Sequence, residues 1–282
     1  EGRLPERPLE PLISILREHG MKIEKTGSSL KCSGILSGGI FEIPGNISSQ
    51  YITGLLMALP YLSSGEAAVC DAAAQRQGLR LASGNVLRVT GDVESAAYIA
   101  MTEQVLRLAG ARFEKHGWEY SIPCGQVYEL PERTAVEGDW SNAALLLALD
   151  GDVTVTGLRP DSLQGDRVCR DMLHRLESPG AVLDISACPD LGPILFAAAA
   201  RGCGGVFTGT HRLRIKESDR LTAVTQVLTA LGADVVEGAD RLTITGQPEG
   251  LAGGVTVDSH NDHRIAMMAA VAATRCAAPV TI

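Results

Sequence analysis

Leu228-Thr229-Ala230-Leu231-Gly232-Ala233-Asp234-Val235-Val236-Glu237 runs on to Leu242-Thr243-Ile244-Thr245-Gly246. This stretch reads as the end of a helix, a glycine C-cap, a short strand, a turn and a return strand. The same order recurs twice. Leu16-Arg17-Glu18-His19-Gly20-Met21-Lys22-Ile23-Glu24 continues to Leu30-Lys31-Cys32-Ser33-Gly34, and Leu106-Arg107-Leu108-Ala109-Gly110-Ala111-Arg112-Phe113-Glu114 continues to Tyr120-Ser121-Ile122. A fourth, degenerate copy follows Met172-Leu173-His174-Arg175-Leu176, where Ser178-Pro179-Gly180 leaves too few residues for a hairpin.

Between these units lie apolar helices opened by small polar residues: near Ser48, near Asp139-Trp140-Ser141-Asn142, after Cys188-Pro189-Asp190, and near Asn261. The segments 143–149, 194–200 and 266–273 are hydrophobic on every side, so these helices are expected to be buried rather than amphipathic. A repeated unit of buried helix, surface helix and hairpin predicts layered α/β domains with helices inside and sheets outside. The segment Arg133 to Asp139 separates one set of units from the next, which predicts domains over 1–134 and 135–282. The stretch 66–82 fits no unit and reads as a surface excursion.

Arg212-Leu213-Arg214-Ile215-Lys216-Glu217-Ser218-Asp219-Arg220 precedes the last complete repeat. Arg212, Arg214 and Lys216 alternate with Leu213 and Ile215, which predicts a strand. From Ser218 onward Leu221, Val224, Val227, Leu228 and Leu231 recur at helical spacing, with Ser218 or Asp219 as N-cap. Arg220 then sits in the first helical turn, where the macrodipole disfavours a cation. Something anionic should offset it. Asn261-Asp262-His263-Arg264 repeats the pattern before a helix over 265–274, and Ser48-Ser49-Gln50 opens a helix over 51–59. Exposed N–H groups at helix starts bind anions, and three such starts with two misplaced arginines predict one site for a polyanionic small molecule.

The bulk properties fit an ordinary soluble globular protein of about two domains. A net charge of −8 argues against a nucleic-acid or membrane-surface protein, whose footprint is a broad basic face. The seven cysteines show no Cys-x-x-Cys or Cys/His metal spacing and read as reduced thiols of a cytoplasmic protein. No apolar run reaches the roughly 18 residues of a membrane span.

Five ordered motifs resemble the enolpyruvyl transferase family, on its shikimate-phosphate branch: Ile47 to Tyr51, Val136 to Ser141, Cys188 to Pro193, Arg214 to Arg220 and Asn261 to Met267. The resemblance covers nearly the whole chain. It implies a two-domain inside-out α/β barrel that closes on its substrates. It also implies transfer of the enolpyruvyl group of phosphoenolpyruvate to the 5-hydroxyl of shikimate 3-phosphate, with no metal or organic cofactor, in a monomer. By the same resemblance Ser48, Ser49, Gln50 and Tyr98 hold shikimate 3-phosphate, and the domain over 1–134 is the one on that substrate's side. Asp190 is the general base for the 5-hydroxyl, Lys216 contacts that hydroxyl and Glu217 protonates the methylene carbon. Arg7, Arg220 and Arg264, with Gln50, clamp phosphoenolpyruvate, and His263 assists at its phosphate.

Departures from the family pattern exist. The opening Lys-Ser pair, the Gly-rich Asn-Ala-Gly-Thr segment and a closing phosphate-binding Lys have no counterpart in the 282 residues, so the chain is expected to be a piece of a longer one. Ala100 stands where the family often has Asp. Two other readings compete: a transferase acting on UDP-N-acetylglucosamine, and a non-catalytic domain that binds an anion or a protein.

Overall fold

In the computed structural model, residues 9–62, 84–149, 151 and 153–282 are described. Arg7, Cys70 and the 66–82 stretch lie outside them. The chain divides into two compact units, one ending at Ala135 and the other beginning at Val136.

The first unit opens with α1 (Leu12–Glu18) and the hairpin β1 (Met21–Thr26) and β2 (Ser29–Gly34), paired from Met21↔Gly34 to Thr26↔Ser29. Then come β3 (Ile40–Pro44), α2 (Ser49–Ala58), β4 (Gly84–Thr90), α3 (Ala96–Leu108), β5 (Glu114–His116) and β6 (Glu119–Pro123). The last four strands form one sheet in the order β3-β4-β6-β5, with β3 and β4 parallel and the other pairs antiparallel. Phe41 and Ile43 of β3, Ile52 and Leu56 of α2, Leu87 of β4, Ile99 of α3 and Tyr120 of β6 are buried together as its core.

The second unit contains α4 (Trp140–Leu147), α5 (Cys169–Leu176), β7 (Val182–Asp184), α6 (Gly192–Arg201), β8 (Gly205–Thr208), α7 (Arg220–Ala230), β9 (Asp234–Glu237), β10 (Arg241–Thr245), β11 (Leu251–Gly253), α8 (His263–Ala273) and β12 (Cys276–Ala278). One sheet has the order β7-β8-β10-β9, and β11 and β12 form a parallel pair. Helix α6 is buried at every position except Ala198 and packs on α5, α7, α8 and β10. That puts an almost wholly apolar helix inside and the sheet on its flank, as a segment with no polar face requires.

The repeats form as their sequences dictate. Gly110 and Gly232 end α3 and α7 in the left-handed region, at φ +80° and +99°, where a side chain would be strained. Behind each, the next amide reaches back to the helix: Ala111 N to Leu106 O and Ala233 N to Leu228 O, both 2.9 Å. The degenerate copy has one strand, β7, and no return; its neighbour β8 arrives later in the chain and runs parallel to it.

Two expectations require correction. Residues 211–215 form a 3-10 turn, not a strand, and Arg212 and Leu213 are both buried rather than facing opposite sides. Strand β10 already lies between β8 and β9. The segment instead turns after Thr208, with Leu213 N bonded to Thr210 O at 2.9 Å and His211 N to Asp240 Oδ1 at 2.7 Å. Helix α4 is not buried on all sides: Trp140, Ala143 and Ala144 are buried, but Leu146 is exposed.

Candidate active site

In the second unit three helix starts are tied together by their own side chains. Asp219 caps α7 by accepting from Thr222 N at 3.2 Å, which places Arg220 at the first helical position. A cation there opposes the helix dipole, and carboxylates of the same chain offset it. Arg220 donates from Nε to Asp262 Oδ2 at 2.8 Å, from Nη1 to Asp190 Oδ1 at 2.9 Å and from Nη2 to Glu217 Oε2 at 2.5 Å. Its side chain is 2% exposed. Desolvating a guanidinium this fully is sustained only by such pairing.

Asp262 joins two elements. It caps α8 by accepting from Arg264 N at 2.9 Å, and it accepts from Ser218 Oγ at 3.0 Å as well as from Arg220. Asp190 joins the third. It lies in the 3-10 turn Pro189–Leu191 that leads into α6, and its Oδ1 is 3.2 Å from Lys216 Nζ. Arg264 Nη1 donates to the Asp190 carbonyl at 3.2 Å. Burial alone would raise the Asp190 carboxyl, but Lys216, Arg264 and Arg220 outweigh it and hold the group at about 2. Burial of Asp262 is likewise outweighed by Arg220, the Arg264 amide and Ser218, leaving its carboxyl below the ordinary range.

Asp190, Lys216, Glu217, Arg220 and Arg264 therefore gather at one corner of the second unit. His263 neighbours them but is 63% exposed, with Nδ1 3.9 Å from Asp262 Oδ1. In the first unit Ser48 caps α2, its hydroxyl accepting from Gln50 N at 3.3 Å; Ser49 is buried and Gln50 exposed. Tyr98 lies half-buried in the first turn of α3, which packs on α2. Sequence reasoning gave Asp262 and Ser218 capping roles only. The signal for more was the buried-cation problem itself: two first-turn arginines demanded carboxylates, and Asp262 was the one adjacent to the second.

The family model described as EPSP synthase (3-phosphoshikimate 1-carboxyvinyltransferase) matches residues 1–77, 79–183 and 176–282. The chain belongs to the EPSP synthase family. Relatives named 3-phosphoshikimate 1-carboxyvinyltransferase include that of Clostridium acetobutylicum, 36% identical over 303 residues, and that of Clostridium kluyveri, 36% identical over 305 residues. Each alignment takes in 100% of this chain and 66% of the relative. The chain thus spans about two thirds of the length of these EPSP synthases. The solved EPSP synthase of Acinetobacter baumannii superposes with a TM-score of 0.71 at 22% identity, over 99% of this chain and 67% of that one. This likeness shows the fold: the two-domain inside-out α/β architecture of EPSP synthases.

Proposed function

We propose that this chain carries the substrate-handling core of a 3-phosphoshikimate 1-carboxyvinyltransferase. In that reaction the 5-hydroxyl of shikimate 3-phosphate attacks C2 of phosphoenolpyruvate while C3 takes up a proton. The resulting tetrahedral intermediate then loses a C3 proton and expels phosphate, giving 5-enolpyruvylshikimate 3-phosphate. The observation that carries the reading is the pairing of Asp190 with Lys216 beside Arg220 and Arg264. A carboxylate set among three cations suits proton transfer next to oxyanions. The family match favours shikimate 3-phosphate over a nucleotide sugar or a non-catalytic role.

The geometry suggests how the parts would work. Asp190, held at about 2, is too weak a base to remove a hydroxyl proton in advance. It would take that proton only as the C–O bond forms, when the attacking oxygen turns acidic, and Lys216 beside it would share in the transfer. Glu217 is paired with Arg220. Proton delivery to C3 calls for that pair to open, and a ligand carboxylate or phosphate arriving at Arg220 would open it by replacing one anion with another. Arg264 and Arg7 would complete the clamp on phosphoenolpyruvate with Gln50, and exposed His263 is free to turn to the phosphate. Ser48, Ser49, Gln50 and Tyr98, at the starts of α2 and α3, would hold shikimate 3-phosphate, as helix N-termini hold phosphate. The reading calls for no metal or organic cofactor, and for a monomer in the cytoplasm.

Calorimetric titration tests it. Shikimate 3-phosphate should bind the 282-residue chain saturably, and phosphoenolpyruvate should bind only after it. Asp190→Ala and Lys216→Met should abolish the second event, or cost about 10²–10⁴ in turnover where turnover is measurable. A folded chain that binds neither ligand would sink the reading.

A further inference from the structure

Asp166 has no part in the roles given so far. It lies in the 3-10 turn Gly165–Val168 that leads into α5 and is 4% exposed. Its Oδ1 has no hydrogen-bonding partner. Ser141 Oγ, in the first turn of α4, lies beside this carboxyl, yet it too is buried without completing a hydrogen bond of normal geometry. The turn packs on α4, and α4 packs in turn on the Pro189–Leu191 turn and on α8. Asp166 therefore shares a corner with Asp190 and Arg264, and the charges of both act on it.

For stability alone this is the wrong residue. A buried carboxylate oxygen left unpaired costs folding energy, and a second carboxylate nearby adds repulsion. Asparagine would fill the same space without the charge. Carboxyls kept under such conditions mark working sites.

The charge that profits is Arg264. Its Nη1 holds the Asp190 carbonyl, and it makes no ion pair within 4 Å among the described residues. A direct pair would occupy the guanidinium fork. A carboxylate acting at longer range attracts the cation and leaves the fork open to a ligand oxyanion. We propose that Asp166 is a positioning residue: its buried carboxylate holds the Arg264 guanidinium at the start of α8 in readiness for the phosphoenolpyruvate oxyanions. This inference rests on the functional reading above.

The test is Asp166→Asn in the 282-residue chain, by calorimetry and thermal unfolding. Affinity for phosphoenolpyruvate in the presence of shikimate 3-phosphate should fall about tenfold, the equivalent of roughly 1.4 kcal/mol. Affinity for shikimate 3-phosphate alone should not change. At pH 7 the variant should be as stable as the parent or more so. Burial, aided by Asp190 and Asp139, raises the Asp166 carboxyl against the pull of Ser141 and Arg264. A raised folded pKa means the parent gains stability as pH falls, so any advantage of the variant should shrink as pH falls toward the ~3.9 of an unfolded aspartate. Cys169 and Cys188, which also feel Asp166, are held by burial at about 11 and 12 and stay protonated throughout.

Unchanged affinity for phosphoenolpyruvate would overturn the positioning role, as would an equal loss for both ligands or a variant that fails to fold. A folded parent that binds neither ligand would instead remove the functional reading, and this inference with it.

Discussion

Asp262 is the residue on which the second unit's charged corner depends most. Its side chain is 0% exposed, and it serves Arg220, Ser218 and the amide of Arg264 at once. Asp262→Ala would strand the guanidinium of Arg220 in a buried position and uncap α8. The cost should be about 3–5 kcal/mol, read as a shift in the urea midpoint of the second unit. A loss under 1 kcal/mol would show that solvent reaches Arg220. The corner also sets an acid limit. Asp190 and Asp262 both have folded values below the ~3.9 of an unfolded aspartate. The stability they contribute is fully present above that value and is lost as pH falls toward about 2. Unfolding followed by circular dichroism should steepen in that window, and the Asp262→Ala variant should show less of it. The need for an anion near Arg220 was readable from its place in a helix's first turn. That the anions would come from Asp190, Glu217 and Asp262 was not, because the contacts to Asp190 and Asp262 join residues 30 and 42 positions apart.

At the scale of elements, the signals that survived were periodic ones. Helix α7 began where Asp219 and the apolar spacing placed it, and the three hairpins formed behind their glycines. Residues 211–215 misled because alternation is only a local pattern, whereas a strand also needs an open sheet edge. Asp166 gave no signal at all, since nothing local distinguishes a surface aspartate in a Gln-Gly-Asp turn from a buried one. Two glycines separate packing from propensity. Gly246 follows β10, and a Cβ there would run into the Gly202 carbonyl and the Gly204 nitrogen. Gly246→Ala should therefore destabilise by about 2–3 kcal/mol. Gly54 is exposed in the middle of α2 with nothing within 4 Å of a Cβ. Gly54→Ala should stabilise by about 0.5–1 kcal/mol. Thermal unfolding of the two variants should move in opposite directions; a shared sign would mean that backbone propensity is not what α2 lacks.

At the scale of the molecule, each unit owns a core. One cluster runs from Ile15 to Ile122 and the other from Trp140 to Ala272. Units with separate cores behave as domains, and stability changes at distant, unconnected positions add rather than couple. Phe196 is fully buried in α6 with its ring edge-on to Phe207 at 4.7 Å, so Phe196→Ala removes an aromatic from the centre of the second core. The expected cost is about 3–5 kcal/mol. Leu87→Ala does the equivalent in the first core, where Leu87 is 0% exposed, at about 2–5 kcal/mol. Calorimetric unfolding of the chain should then resolve two transitions, with Phe196→Ala lowering one and Leu87→Ala the other. Shikimate 3-phosphate, whose proposed contacts include Asp190 and Lys216, should raise the transition that Phe196→Ala lowers. If either substitution moves both transitions in the absence of ligand, the two units fold as one cooperative body.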